Sequence, residues 1–404
     1  MTSPAHAASQ ASVSESNRSR ILEHLYHNGV CSRAQIAKAL GLTPAAITKI
    51  TARLIDAGVI EETGDIEGRL NRRSIGLRLD GGRFHVIGVK FARSLVQIGV
   101  FDLDGRLLSI EELPTVSDDT IPQTIAAIHL TIDDLLDGDP AIVAIGMAVP
   151  GPYLRDIGYA AIVSSMQGWR NVNFPKEFAH AFRVPVFVEQ DARAGALAQR
   201  LFSTDGTCDT LAYYLLGEGI GLGVIDHGAL INGHLGTATE IGHVSVDING
   251  RPCDCGNVGC LERYCSAVAI HQAIDQAGLL GPGSPAMTHR EACNALFRLV
   301  EDGDARATAI LDEAARYIGF GCVSICNLFN PQRIVIGDIV AGAGQRLLDR
   351  VVEITREHVN PDILRETTIT LSTLPSDAAV SGAAAVAITQ FLDHPSMFFD
   401  VSQP

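Results

Sequence analysis

The chain has 404 residues, 47% of them hydrophobic, and a formal net charge of −15, enough apolar material for two or three domains with sizeable cores. No apolar run approaches the ~18 residues of a membrane span, and the acidic total argues against an extended nucleic-acid surface. The charge is uneven, however: residues 1–80 sum to +2 and the remainder to −17, the balance of a small basic head on an acidic body.

In chain order, residues 1–16 are Ala/Ser-rich without an apolar signal core and read as a disordered tail. Nine cysteines with no secretory signal suit a reducing, cytoplasmic setting. Residues 17–80 read as a winged helix-turn-helix domain. Ile21 and Leu25 share one face of a first helix. Ser32 caps a second, which carries Ile36, Ala39 and Leu40 and stops at Gly41. Thr43 caps a third, with Pro44 at its first position and Ile47, Ile50 and Leu54 facing inward. Strands at 59–62 and 74–79 would form the wing, with Arg69, Arg72 and Arg73 on the loop between them. The third helix would enter a major groove of operator DNA. On this reading Thr48 and Lys49 contact base edges, and Ala45 is available to a thymine methyl. Thr43, at the cap, is a further DNA-contact candidate, and Arg53 with the wing arginines contacts the phosphates.

Gly81-Gly82 opens a second region. Three strands (85–89, 96–101 and 107–113, with Asp104-Gly105 as a turn) precede a helix at 121–136 and a buried strand at 141–147. A short strand at 186–188 ends at Glu189-Gln190-Asp191 and gives way to a helix from about residue 192 to 201. Strands at 211–216, 222–225 and 229–231, a helix at 305–328 and a strand at 333–336 repeat the order. Meander, helix, strand, helix, twice over, reads as an α/β fold with a duplicated lobe.

Between Glu240 and Glu262 the chain concentrates metal chemistry. His243, Cys253, Cys255 and Cys260 supply four soft or borderline ligands, the number a closed tetrahedral Zn2+ site needs. Gly256 and Gly259 let the backbone turn sharply between them. With all four positions filled by protein, the zinc would be structural. Buried or disulfide-linked thiols are the alternative, made less attractive by the Cys-x-Cys spacing.

Glu-x-Gly-His followed by Cys-x-Cys-Gly-x-x-Gly-Cys-x-Glu resembles the signature of the ROK family, which holds sugar kinases and sugar-responsive repressors. The resemblance implies an actin-like, ribonuclease-H-type duplicated body. Its first lobe would comprise residues 82–195 with 377–392, and its second, zinc-bearing lobe residues 196–376. It also implies a sugar pocket of Gln190, Asp191, Glu240, His243 and Glu262, where Asp191 stands at the position of the kinases' catalytic base and Gln190 replaces the usual asparagine. Gly168-Trp169 matches the substrate loop, although Trp169 also suits plain core packing. The nucleotide side departs from the kinases. Their Asp-x-Gly-Gly-Thr-Lys turn is here Lys90-Phe91-Ala92-Arg93-Ser94-Leu95. Glu218 replaces a threonine in the second loop, and the third Gly-Gly reads Gly337-Asp338. The implied protein is a homodimeric or homotetrameric transcriptional regulator, not an enzyme, with Asp191 a vestigial base. Its partners would be operator DNA and a sugar or sugar-phosphate effector. The alternatives are an active sugar kinase with a fused DNA-binding head, or a DNA-bound scaffold governed by a protein partner.

Overall fold

Helix α1 (Gln10–Asn28) is the first element of the structure, a computed structural model that describes residues 10–66, 74–92, 95–114, 116–160, 167–204, 206, 208–374 and 378–399. The expected tail is therefore helical from Gln10 onward. Glu15 pairs with Arg18 one turn later at 2.7 Å and accepts hydrogen bonds from the Ser396 N–H and hydroxyl at 3.0 and 2.8 Å. The partner that orders this segment lies at the far end of the chain, so local composition does not reveal it.

The head continues through β1 (Cys31–Ser32), α2 (Arg33–Leu40), α3 (Pro44–Asp56), β2 (Ile60–Ile66) and β3 (Ser74–Leu79). Its caps follow from residue type. Ser32 and Gln35 close a capping box on α2, Gly41 ends that helix at φ 66°, and Thr43 accepts the Ala46 N–H ahead of Pro44. The wing strand β2 runs four residues past the expected end, and β1 adds an unexpected third strand in the order β1-β3-β2. Arg33 binds the head together, donating to Thr51 of α3 at 3.1 Å and pairing with Glu62 of β2 at 2.8 Å. Arg69, Arg72 and Arg73 lie outside the described residues.

The first lobe contains β4 (His85–Phe91), β5 (Val96–Asp102), β6 (Leu107–Glu112), α4 (Ile121–Gly138), β7 (Ile142–Val149), the hairpin β8 (Tyr153–Leu154) and β9 (Tyr159–Ala160), α5 (Phe174–Phe178), β10 (Val186–Gln190) and α6 (Asp191–Phe202). The second contains β11 (Leu211–Leu216), β12 (Ile220–Asp226), β13 (Ala229–Leu230), α7 (Glu262–Cys265), α8 (Ala267–Gln276), α9 (His289–Glu301), α10 (Ala305–Phe329), β14 (Arg333–Gly337), α11 (Gln345–His358), α12 (Pro361–Leu364) and β15 (Thr368–Leu371); α13 (Ala378–Asp393) follows. The sheet orders are β10-β7-β4-β5-β6 and β13-β12-β11-β14-β15. In each, the first strand is central, pairs antiparallel with the second, and runs parallel to the fourth. The duplication is thus written in the hydrogen-bond ladders.

Helix α6 is continuous through residues 195 and 196, so the chain does not change lobes at the expected boundary; it does so beyond Phe202. Nor is the head a separate bead. Ile21, Leu22 and Leu25 of α1 share one buried cluster with Val86, Phe101, Val380, Ala384, Ile388 and Phe391 of the body. No described helix is long and apolar enough to cross a membrane.

Helix α13, rich in alanine, lies on β4 and β7 because both strands present glycine there. A Cβ on Gly88 would fall 2.7 Å from the Val380 carbonyl oxygen, and one on Gly146 would fall 1.9 Å from that of Ala383. Both obstacles are backbone and cannot rotate away. Gly146→Ala should therefore lower the urea midpoint by the equivalent of about 2–3 kcal/mol, and an unchanged midpoint would contradict this packing.

Candidate functional site

The strand-to-helix junction β10–α6 places three adjacent polar residues. Glu189, buried at the strand end, accepts from the fully buried Arg193 Nε at 2.8 Å and also pairs with Arg155. Arg193 Nη1 donates onward to the Gly236 carbonyl, and Arg155 Nη2 reaches Asn232 Oδ1 at 3.2 Å. These two arginines tie the first lobe to the loop that precedes Glu240. No spacing along the chain signals this network, because its members are separated by up to about 80 residues and each alone reads as a surface charge.

Gln190 is the N-cap of α6, its side-chain oxygen accepting the Arg193 N–H at 3.2 Å, and its amide lies against Gly151. Asp191 accepts the Ala192 N–H at 2.8 Å with one oxygen, and its other oxygen lies 3.3 Å from Lys90 Nζ. Lys90 is buried at the end of β4, and its neighbour Phe91 sits in the core edge-on to Trp169, with centroids 5.1 Å apart. Trp169 is fully buried and belongs to that core. Lys90 is thus the counter-ion of Asp191. Arg93 and Ser94 of the same turn lie outside the described residues.

Glu240 and Glu262 come from the second lobe. Glu262 accepts the Ile220 N–H at 3.1 Å and fixes the start of β12. Burial pushes the Glu240 carboxyl up to about 7; Arg193 opposes this, and the neighbouring Asp191 and Glu262 carboxylates add to it. The three acids therefore face one region, with Lys90 and Arg193 as the nearby cations.

Directly after Glu240, a single 3-10 turn, Ile241–His243, carries the first proposed metal ligand. The donor atoms of His243, Cys253, Cys255 and Cys260 all lie within 4.8 Å of one another. The His243 Nδ1–Cys253 Sγ separation is 3.8 Å and the Cys255–Cys260 Sγ separation 3.6 Å. Tetrahedral zinc with bonds of about 2.3 Å to sulfur demands separations of about 3.8 Å. Gly256 and Gly259 turn the loop at φ 89° and 74°, and a Cβ on Gly259 would fall 1.7 Å from the Asp247 carbonyl oxygen. Burial and the adjacent Cys253 and Cys255 sulfurs push the Cys260 thiol up to about 12. A divalent cation at the centre is what would let such a set ionise, so the donors fit zinc.

Just beyond β14, Asp338 adopts φ 71° and ψ −157°, a region nearly reserved for glycine. Its carboxylate pairs with Arg290 of α9 at 3.2 Å and occupies space 2.4 Å from where a Gly217 Cβ would lie. In the head, Thr43, Ala45, Thr48 and Lys49 are exposed at the start of α3, and Arg53 is half-buried. The Thr43 oxygen is used as the helix cap and the Thr48 hydroxyl donates to the Pro44 carbonyl at 2.9 Å, which leaves Lys49 with the freest reach.

Comparison with known proteins agrees with this architecture. The ROK family profile matches residues 86–390, and a winged helix-turn-helix DNA-binding profile matches residues 15–61. The chain belongs to the ROK family and carries the winged head of its transcriptional regulators. It is 31% identical over 344 residues to the DNA-binding transcriptional dual regulator NagC of Escherichia coli K12, covering 84% of each chain. It is 25% identical to the xylose repressor of Bacillus subtilis, covering 96% of this chain and 98% of that protein. Its structure matches a ROK family transcriptional regulator, a homolog of the E. coli MLC protein, with TM-score 0.77 and 28% identity over 95% of this chain and 98% of that one. A ROK glucokinase from Streptomyces griseus, solved with glucose and AMPPNP, matches 75% of this chain and 99% of its own, with TM-score 0.66 and 25% identity.

The raised Glu240 carboxyl has a thermodynamic consequence. Between about pH 4.5 and 7 the folded chain holds a proton that the unfolded chain has released, so this group's contribution to stability falls as pH rises through that window. Glu240→Gln should remove that slope, narrowing the difference between urea midpoints measured at pH 5 and pH 8. An unchanged difference would mean that Glu240 is solvated.

Proposed function

We propose that this protein is a sugar-gated transcriptional regulator, most simply a repressor, whose pocket binds a sugar or sugar phosphate without phosphorylating it. The observation that carries the reading is the fusion of a winged head to a ROK body in which Lys90 reaches the would-be base Asp191 at 3.3 Å. A kinase base must accept a hydroxyl proton while Mg2+ and the triphosphate approach. An ammonium paired with its carboxylate competes with the substrate hydroxyl for the same oxygen and stands where the metal-organising aspartate would be. Asp338 and Glu218 add negative charge on the side that would have to receive phosphates.

In this reading Gln190, Asp191, Glu240, His243 and Glu262 present acceptors and donors to sugar hydroxyls. Zinc held by His243, Cys253, Cys255 and Cys260 is structural, fixing the turn that carries Glu240 and leaving the second His243 ring nitrogen for the effector. Lys49 reads base edges and Arg53 approaches phosphate, as Arg69, Arg72 and Arg73 do on the wing. Two or four copies assemble so that paired heads read an inverted repeat, with half-sites about one helical turn apart. The names of two relatives, the N-acetylglucosamine repressor of Escherichia coli O157:H7 and the xylose repressor of Bacillus subtilis, direct attention to those two sugars.

Operator binding with and without a sugar panel, beside metal analysis, tests the assignment. Cys255→Ser should lose zinc together with most of the sugar response. Asp191→Ala should keep zinc and operator affinity yet lose the response, and a response at the wild-type sugar concentration would place the pocket elsewhere. Incubation with ATP, Mg2+ and hexoses should yield no sugar phosphate, whereas turnover near the roughly 1–100 per second common for kinases would restore the kinase reading.

A further inference from the structure

We propose that helix α6 is the link between the effector pocket and the DNA head, and that the Arg200–Glu23 ion pair is its coupling contact. The inference rests on the pocket reading above for what drives the link, but the link itself stands on the geometry of one helix. At its N-terminus α6 begins with Gln190 as cap and Asp191 as its first residue, the latter paired with Lys90. It ends at its twelfth residue, Phe202, about 17 Å away. In its last turn Arg200 Nη2 lies 3.3 Å from Glu23 Oε1 of α1, the helix that opens the DNA head.

Helix α6 has no room to absorb a displacement by bending. Ala192 to Gln199 are all buried. Ala192 is pressed on Gly221 and Gly223 of β12, where an added Cβ would fall 2.7 and 2.3 Å from it. Gly195 lies under the Tyr213 ring, and Gly382 of α13 rests on Ala194 and Gly195. A close-packed element of this kind moves as a unit or not at all. Movement at Asp191 must then appear at Arg200 and Phe202.

The receiving end is built to register it. Arg200 and Glu23 are largely shielded, with 19% and 33% of their side chains exposed. The Asp393 carboxyl at the end of α13 feels both: Glu23 raises it and Arg200 lowers it, on top of the larger effect of burial. The Arg200 guanidinium pairs with Glu23 and acts on Asp393 through its field alone, where α1, α6 and α13 meet. Phe202 packs on Gly105 of the β5–β6 turn, and α1 is seated on α13 through Ile21, Leu22 and Leu25. A shift of α6 rearranges charge and packing under the first helix of the head.

Because coupling is reciprocal, it can be read without any sugar. Hydrogen–deuterium exchange of the full-length, zinc-loaded protein would be followed in the peptide covering residues 190–195, with and without operator duplex selected from a random pool. Operator binding should change exchange there by about fivefold in the wild type and in Arg200→Lys. The change should largely vanish in Arg200→Ala and in Glu23→Gln, with operator affinity held within about fivefold. Glu23→Gln removes the ion pair while keeping the side chain's size and leaving Arg200 in place, so it keeps the test decisive if Arg200→Ala fails to fold. No change in the wild type, or the full change in Glu23→Gln, overturns the proposal. Failure of the sugar reading would look different: the exchange link would persist while glucose, xylose, N-acetylglucosamine and their phosphates altered neither exchange nor operator affinity.

Discussion

Burial of α6 between the two lobes is the constraint on which the other features depend. A helix enclosed on all sides must be made of small residues, and Ala192, Ala194, Gly195, Ala196 and Ala198 meet that need. Its neighbours comply in turn, with Gly221 and Gly223 on β12 and Gly382 on α13. Small residues bring backbones close, so the two lobes, α13 and the pocket rim share one rigid centre. The polar groups of the pocket then sit at the end of this rod, where helix N–H groups lack internal acceptors and a carboxylate such as Asp191 is favoured.

Around that helix end, charge balance decides what the pocket can do. Asp191, Glu240 and Glu262 repel one another, and among the described residues only Asp191 of the three has an ion-pair partner, Lys90. Arg193 is committed to Glu189 and the Gly236 carbonyl, so its influence on Glu240 is electrostatic. A neutral polyol suits such a site because its hydroxyls donate to carboxylates without adding net charge. Zinc on the His243–Cys253–Cys255–Cys260 cluster would act on the same balance from behind, by fixing the turn that bears Glu240 and so the distance at which the acids meet.

Much of this was legible in the residues, and what was not has a common cause. The caps at Ser32, Thr43 and Gly41, the ligand run ending at Cys260 and the repeated strand order are local, within reach of periodicity and spacing. The helix from Gln10, the strand β1, the Glu189–Arg193–Arg155 network and the Lys90–Asp191 pair depend on partners tens to hundreds of residues away. Lys90 shows the limit well. In the sequence it reads as the loss of an aspartate, and only the β4–β10 neighbourhood turns that loss into a gained counter-ion. The lobe boundary failed for a related reason: the helix that looks like the end of one lobe is the shared wall of both.

Magnitudes indicate how pocket and head divide the work. Effector coupling in proteins is typically 1–3 kcal/mol, or about 5–150-fold in affinity. An exposed ion pair supplies about 0–1 kcal/mol, and the partial shielding of Arg200 and Glu23 raises that only modestly. The pair alone therefore falls short of a strong switch. The remainder must come from the apolar seat of α1 on α13, where Ile21, Leu22 and Leu25 are each at most 1% exposed. Burial is worth about 25 cal/mol per Å2, so re-exposing some 40 Å2 of that seat would contribute a further ~1 kcal/mol. A slight rotation of α1 suffices for that. The ion pair then sets the direction of the switch and the apolar seat sets its depth.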